Sequence, residues 1–361
     1  MHTIVAGDPA DLIAYAYYRI GFRPRESVVV IGLARSGAAP AAGYGAGPAP
    51  SGRMQVGMVA RLDLPPVRDR RQAFEHLARL MVDQGQDAAI ALLISTRPAD
   101  ALVKAWRRAS RAVRLAVLDV ITVDDHSYRS RLCRDAACCP PEGVPLASVF
   151  AGRVAADLVS RGHALVENAE DLVADVVPRD PLPEQLFAEV PDPTPDRFDR
   201  LRRWGQLVAE QGEPAPAEID SADLVDLCRG LDDVAFRDAV LVAMSAPTGD
   251  DGLGSARLMV AGEAERAMAE ANRHDPDEDL LDRSRRVLAA VARRAPRGRR
   301  AEALGVLAWA AWWRGESVQA RLLAERALQD QPRHRLSHLV LGLVNSCIAP
   351  PWVTRRRALI S

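Results

Sequence analysis

The chain has 361 residues, 48% of them hydrophobic, which suits about two folded domains and excludes an intrinsically disordered chain. Its formal net charge of -1 supplies no global attraction to nucleic acid or to an anionic membrane surface, so neither is an expected partner. Lys104 is the sole lysine and follows Val103, which excludes a Walker A phosphate loop, where lysine follows glycine.

The opening "MHTIVAGDPADLIAYAYY" has no basic start followed by a continuous apolar run, and so does not read as a signal peptide. No stretch of the chain reaches the roughly 18 apolar residues of a membrane span. A cytoplasmic setting is therefore expected, in which the five cysteines would be thiols or ligands rather than disulfides.

The first element is a helix with Asp8 as N-cap, Pro9 at its first position and Gly21 as its stop. "ESVVVIGL" at 26–33 is an all-apolar, β-branched run that suits a strand buried on both faces. Residues 36–52 are small and glycine-rich, and read as a flexible loop. A second strand is expected at 54–65, an amphipathic helix ending at Gly85, and a third buried strand at 88–95. A helix entered near Pro98 follows, then a hairpin with Asp124, Asp125 and His126 near its turn. This interleaving of strands and helices predicts an α/β domain over residues 1–177, a small, mainly buried sheet with flanking helices.

Residues 178–195 are proline-rich and acidic, and read as a linker containing one short helix. From 196 to 361 no strand is evident; helical patterns recur at 196–210, 222–231, 233–244, 256–272, 278–294, 301–314, 317–329 and 336–347. Within 301–347, "LAWAAWWRGESVQARLLAERALQDQP" carries Leu307 and Ala308 on a first helix, Gly315 at a turn, Ala320 and Ala327 on a second helix, and Pro332 as the close. Small residues are needed where two antiparallel helices cross closely, and this spacing is that of a tetratricopeptide-like hairpin. Trp309, Trp312 and Trp313 then fill the seam against neighbouring helices or floor a peptide-binding surface, although all three are not expected to face one way.

Four other groupings are candidates for chemistry. Arg61 and Asp63 lie two apart near the carboxyl end of the second strand, where an open α/β sheet binds small ligands; an edge salt bridge is the competing reading. Cys133, Cys138 and Cys139, with His126 upstream, supply three thiolates and an imidazole, the donor types of a tetrahedral zinc site, but lack the C-x-x-C spacing. A structural turn with buried thiols, made rigid by Pro140, Pro141 and Gly143, and a reactive thiol are the other readings. His334 and His338, four apart on a helix without a third ligand, read as a solvated face, and the arginine run at 285–300 as a solvated helix end or a phosphate-facing patch. The glycines at 43, 45 and 47 do not form a dinucleotide fingerprint, and no cofactor is expected.

Three strings in this order, "DLIAYAYYRIGFRPRESVVVIGL", "SRLCRDAACCPPEGVPL" and "LAWAAWWRGESVQARLLAERALQDQPRHRLSHLVLGL", resemble the actinobacterial family grouped as domain of unknown function 4192. The resemblance covers nearly the whole chain, and Tyr128-Arg129-Ser130 departs from the tryptophans that relatives often carry before the first cysteine. It implies an α/β N-terminal part, a helical C-terminal part and an actinobacterial cytoplasm, but no activity and no catalytic residue. The expected function is that of an interaction or regulatory protein that docks a protein or peptide through its helical domain. The alternative is an enzyme or ligand sensor using the sheet edge.

Overall fold

A computed structural model describes residues 8–35, 54–137, 139–189, 196–212 and 217–360. The loop read at 36–52, Cys138 and the end of the proline-rich segment lie outside them. The chain divides after Ala169 into an α/β unit and a helical unit, Glu170–Leu359.

The first unit comprises α1 (Pro9–Ile20), β1 (Ser27–Arg35), β2 (Met54–Asp63), α2 (Arg70–Asp83), β3 (Ala88–Ile94), α3 (Asp100–Ala112), β4 (Ala116–Val123), β5 (Ser127–Ser130), β6 (Val144–Pro145), α4 (Ala147–Ala151) and α5 (Arg153–Ser160). The six strands form one mixed sheet in the order β2-β1-β3-β4-β5-β6. β1 runs antiparallel to both of its neighbours, and β3 and β4, joined through α3, are the parallel pair. This order leaves β2, β3 and β4 pointing the same way, so their carboxyl ends share one edge of the sheet.

Both faces of the sheet are covered, which is why β1 and β3 are apolar without alternation. Val28, Val30, Ala91 and Leu93 pack under α2 and α3, around Phe74 and Trp106. Val29, Ile31, Leu92 and Ile121 pack under α1, α4 and α5, around Tyr17 and Leu158. α1 begins as its sequence dictates: the Asp8 carboxylate accepts from the Asp11 N–H at 2.9 Å, and Gly21 closes the helix with φ 88°.

The helical unit opens within a 3-10 segment (Ala169–Val176), which is followed by α6 (Glu184–Glu189). There follow α7 (Arg197–Glu210), α8 (Ser221–Asp232), α9 (Val234–Ser245), α10 (Gly254–Val260), α11 (Ala264–Ala271), α12 (Glu278–Arg294), α13 (Ala301–Arg314), α14 (Ser317–Asp330), α15 (Arg335–Asn345) and α16 (Pro351–Ile360). They make a stack of helix pairs around one apolar core. No helix among the described residues is long and apolar enough to cross a membrane.

The structure departs from the sequence reading in three places. The helix read at 256–272 is two, α10 and α11, broken where Gly262 takes φ 87°. A further helix, α16, follows the hairpin. The division of the chain falls at 169/170, not at 177/178, because Val173, Val176, Leu182 and Phe187 are buried in the helical core. Pro178, Pro181 and Pro183 punctuate a segment whose Leu182 and Phe187 are packed into that core.

Candidate functional site

At the shared carboxyl edge of β2, β3 and β4, Arg61 and Asp63 stand on the same face of β2, opposite Val29 and Ser27 of β1. Their side chains form an ion pair with each other, and the Arg61 guanidinium lies over the Phe22 ring, 5.1 Å from its centroid. Beside them is a group that pattern reading missed. Glu26, just before β1, takes φ 39°, and its carboxylate accepts from the Thr96 N–H at 2.9 Å, the Ser95 hydroxyl at 3.1 Å and the Thr96 hydroxyl at 3.2 Å. These bonds, led by the Thr96 N–H, outweigh desolvation and hold the Glu26 carboxyl below its ordinary pKa. Asp124 closes the β4–β5 turn in the same manner, accepting from the backbone N–H groups of His126 at 2.8 Å and Ser127 at 2.7 Å. The charges of Arg61, Glu26 and Asp124 thus each have partners within the edge, an arrangement that fastens the turns together.

The cysteine turn begins beyond β5. The Ser130 hydroxyl donates to Asp119 Oδ1 at 2.8 Å and accepts from the Cys133 N–H at 3.0 Å. Cys133 is half-buried; Cys139 is buried, and its N–H donates to the Asp135 carbonyl at 2.8 Å. Arg129 braces the turn by donating to the Pro141 carbonyl at 2.8 Å. His126 is exposed in the β4–β5 turn, at the other end of β5 from Cys133. The four residues of β5 separate them by roughly 13 Å at the usual strand rise, too far for these two side chains to share one ion.

Trp309, Trp312 and Trp313 form one cluster: Trp309 stacks on Trp313 with centroids 5.3 Å apart, and Trp312 lies 6.3 Å from each. Trp309 thus meets Trp312 at i+3 and Trp313 at i+4, the contacts expected from helical spacing. Trp312 and Trp313 are buried, while Trp309 is half-buried at the margin of the core. The chain after α15 covers them. The Trp312 indole donates to the Ile348 carbonyl at 2.8 Å, and the Trp352 indole of α16 donates to the Trp313 carbonyl at 2.7 Å. Of the three, Trp309 alone keeps the exposure that an aromatic floor would need.

The histidine pair divides. His338 is exposed, but His334 is 4% exposed, not on a solvated face. Its Nδ1 lies 2.8 Å from the Ser337 hydroxyl and 3.3 Å from the Ser337 N–H, and its Nε2 lies 3.1 Å from Glu302 Oε2. Arg237 reaches the same Glu302 oxygen at 3.3 Å. Gly305 makes room for the ring, since a Cβ there would lie 2.4 Å from His334 Cε1.

Three arginines of the run, Arg285, Arg294 and Arg299, engage residues 170–187. Arg285 of α12 donates to the Leu172 carbonyl at 3.2 Å and pairs with Asp175 at 2.7 Å. Gln319 of α14 donates to the same carbonyl at 2.8 Å, and Arg326 to the Val173 carbonyl at 2.6 Å. Arg294 donates to the Asp180 carbonyl at 2.7 Å, and Arg299 pairs with Glu184 at 3.4 Å. Two helices thus grip the main chain of a segment that belongs to neither.

These features define a two-unit protein, a mixed-sheet α/β unit followed by stacked helix pairs. The family model described as "Domain of unknown function (DUF4192)" matches residues 9–351, and the chain belongs to that family. No curated protein and no solved structure matches the chain.

Proposed function

We propose that the protein is an interaction or regulatory module whose helical unit docks a polypeptide segment on the face of α12 and α14. The observation that supports this reading is the Leu172 carbonyl, which accepts at once from Arg285 of α12 and Gln319 of α14. Side chains that donate to main-chain carbonyls hold a peptide largely independently of its sequence, as a docking surface does. The tetratricopeptide-like pairing of α13 with α14 fits this role, because such stacks present extended faces to partners. The expected setting is the cytoplasm.

The alternative reading, a small-ligand site at the sheet edge, is favoured by one observation: Glu26 holds a left-handed conformation that a non-glycine residue rarely adopts. It ranks second because the edge charges already have partners, Arg61 and Asp63 in each other and Glu26 in Ser95 and Thr96.

The test places a photo-crosslinking amino acid at Gln329, exposed and one turn beyond Arg326 on α14, with Arg79 of the α/β unit as control. Partner adducts at position 329 well above those at 79 are expected. Equal labelling at both positions counts against the proposal.

A further inference from the structure

We propose that residues 170–187 are a resident occupant that closes the α12–α14 face against its true ligand, an acidic peptide of another protein bearing two aliphatic anchors three residues apart. This inference rests on the docking reading above and adds what is docked and how access is controlled.

The chemistry of the occupant is read from what the face already holds. Val173 and Val176, three apart, are buried to within 2% of full occlusion. Leu182 is buried beyond them, and Phe187 lies under the Arg299 guanidinium, 4.9 Å from its ring centroid. Charge complements shape. Asp175 pairs with Arg285, Glu184 pairs with Arg299, and Arg326 feels the charges of both Asp175 and Glu170. A neutral or basic peptide on this face would leave those guanidinium groups without their carboxylates.

The mode of attachment argues for exchange. The segment begins as a 3-10 turn kinked at Val173, where φ is -126°, and ends in the first turn of α6. Main-chain bonding from the segment to α12 comes to two N–H donations, Arg179 to Arg293 at 3.1 Å and Leu182 to Arg294 at 2.7 Å. The side-chain grip on Leu172, Val173 and Asp180 acts on carbonyls, which every peptide carries. A ligand following the same backbone path could take over each of these bonds without any rearrangement of the helix stack.

The closing experiment has two arms, both on the full chain. Hydrogen exchange on the wild type reads whether the segment opens by itself: the Arg179 and Leu182 amides are expected to exchange at least 100-fold faster than those of Leu304 and Ala320. Exchange at one common rate would mean the segment leaves only when the unit unfolds, and overturns the closure. In the second arm a labelled synthetic peptide of residues 168–189 is titrated against wild type and against V173D/V176D, with circular dichroism and light scattering as checks on fold and mass. At least tenfold tighter binding to the variant is expected, lost when Glu170, Asp171 and Asp175 of the peptide are changed to amides. A folded, monomeric variant that ignores the peptide refutes the docking face itself. Equal binding to both proteins keeps the face and refutes the closure. A dimeric variant shows the segment exchanging between copies, and overturns a separate partner. If the variant fails to fold, the segment is integral to the core, and the exchange arm is expected to show the common rate.

Discussion

The carboxylate of Asp330, the last residue of α14, caps the start of α13: its Oδ2 accepts from the Ala301 N–H at 3.1 Å and from the Arg300 N–H at 2.8 Å, and Oδ1 accepts from the Gly298 N–H at 2.8 Å. The cap comes from the neighbouring helix, some thirty residues away, so it fastens the pair as well as ending one of them. Asp330→Ala strands these donors in a site where the carboxylate is 2% exposed. A loss of about 2–3 kcal/mol is expected, read by urea unfolding. A loss within about 0.5 kcal/mol, the range of ordinary surface changes, would show that the cap is not needed.

The tryptophan cluster predicts a graded response. Trp312→Ala is expected to cost about 3–5 kcal/mol, as for large-to-small core changes. Trp309→Ala should cost clearly less, because Trp309 is half-buried. Gly315, with φ 90° at the α13–α14 turn, is the control: Gly315→Val forces a β-branched residue into a left-handed conformation and should be destabilising by about 1–2 kcal/mol. Thermal unfolding of the three variants gives the ranking, and wild-type melting of Trp312→Ala would remove that residue from the core.

The buried Glu302 predicts an acid-dependent loss of stability. Burial alone would raise its carboxyl, but the His334 contact and the Arg237 charge outweigh burial and lower it from the ordinary 4.5. A carboxyl depressed in the folded state stabilises the fold above its unfolded value, and that contribution is lost as pH falls through the lower, folded value. Glu302→Gln should therefore melt below wild type at pH 7, and the gap should narrow as pH falls below the ordinary 4.5. A gap that stays constant with pH would assign the effect to packing alone.

At the same network, Gly305→Ala sets two effects against each other. Helix propensity favours Ala by about 1 kcal/mol. Crowding a bonded imidazole costs about 1–3 kcal/mol. Net destabilisation is expected, with the thermal midpoint partly restored when His334→Ala is added. A variant as stable as wild type would show that the ring can move aside.

The division of the chain after Ala169 predicts that a chain of residues 170–361 is more stable than one of 178–361, which removes the buried Val173 and Val176. Each buried valine contributes about 1.5–3 kcal/mol, so a difference of about 3–6 kcal/mol is expected in chemical unfolding. Equal midpoints would return the boundary to residue 177/178.

By itself the sequence determined the features whose causes are local. Asp8, Pro9 and Gly21 delimit α1, the apolar runs of β1 and β3 announce strands covered on both faces, and Gly315 marks the α13–α14 turn, because caps, periodicity and φ > 0 act within a few residues. Of the candidate site it determined that Arg61 and Asp63 share a face of β2, a consequence of period two. Tertiary structure alone decided the rest. The position of β1 between β2 and β3, the burial of His334 against Glu302, the cover that α16 places over the tryptophans, and the capture of residues 170–187 by α12 and α14 each depend on partners from about 30 to 150 residues away. No local pattern encodes such pairings, because each is selected by complementarity of shape and charge between elements that meet only when the chain has folded.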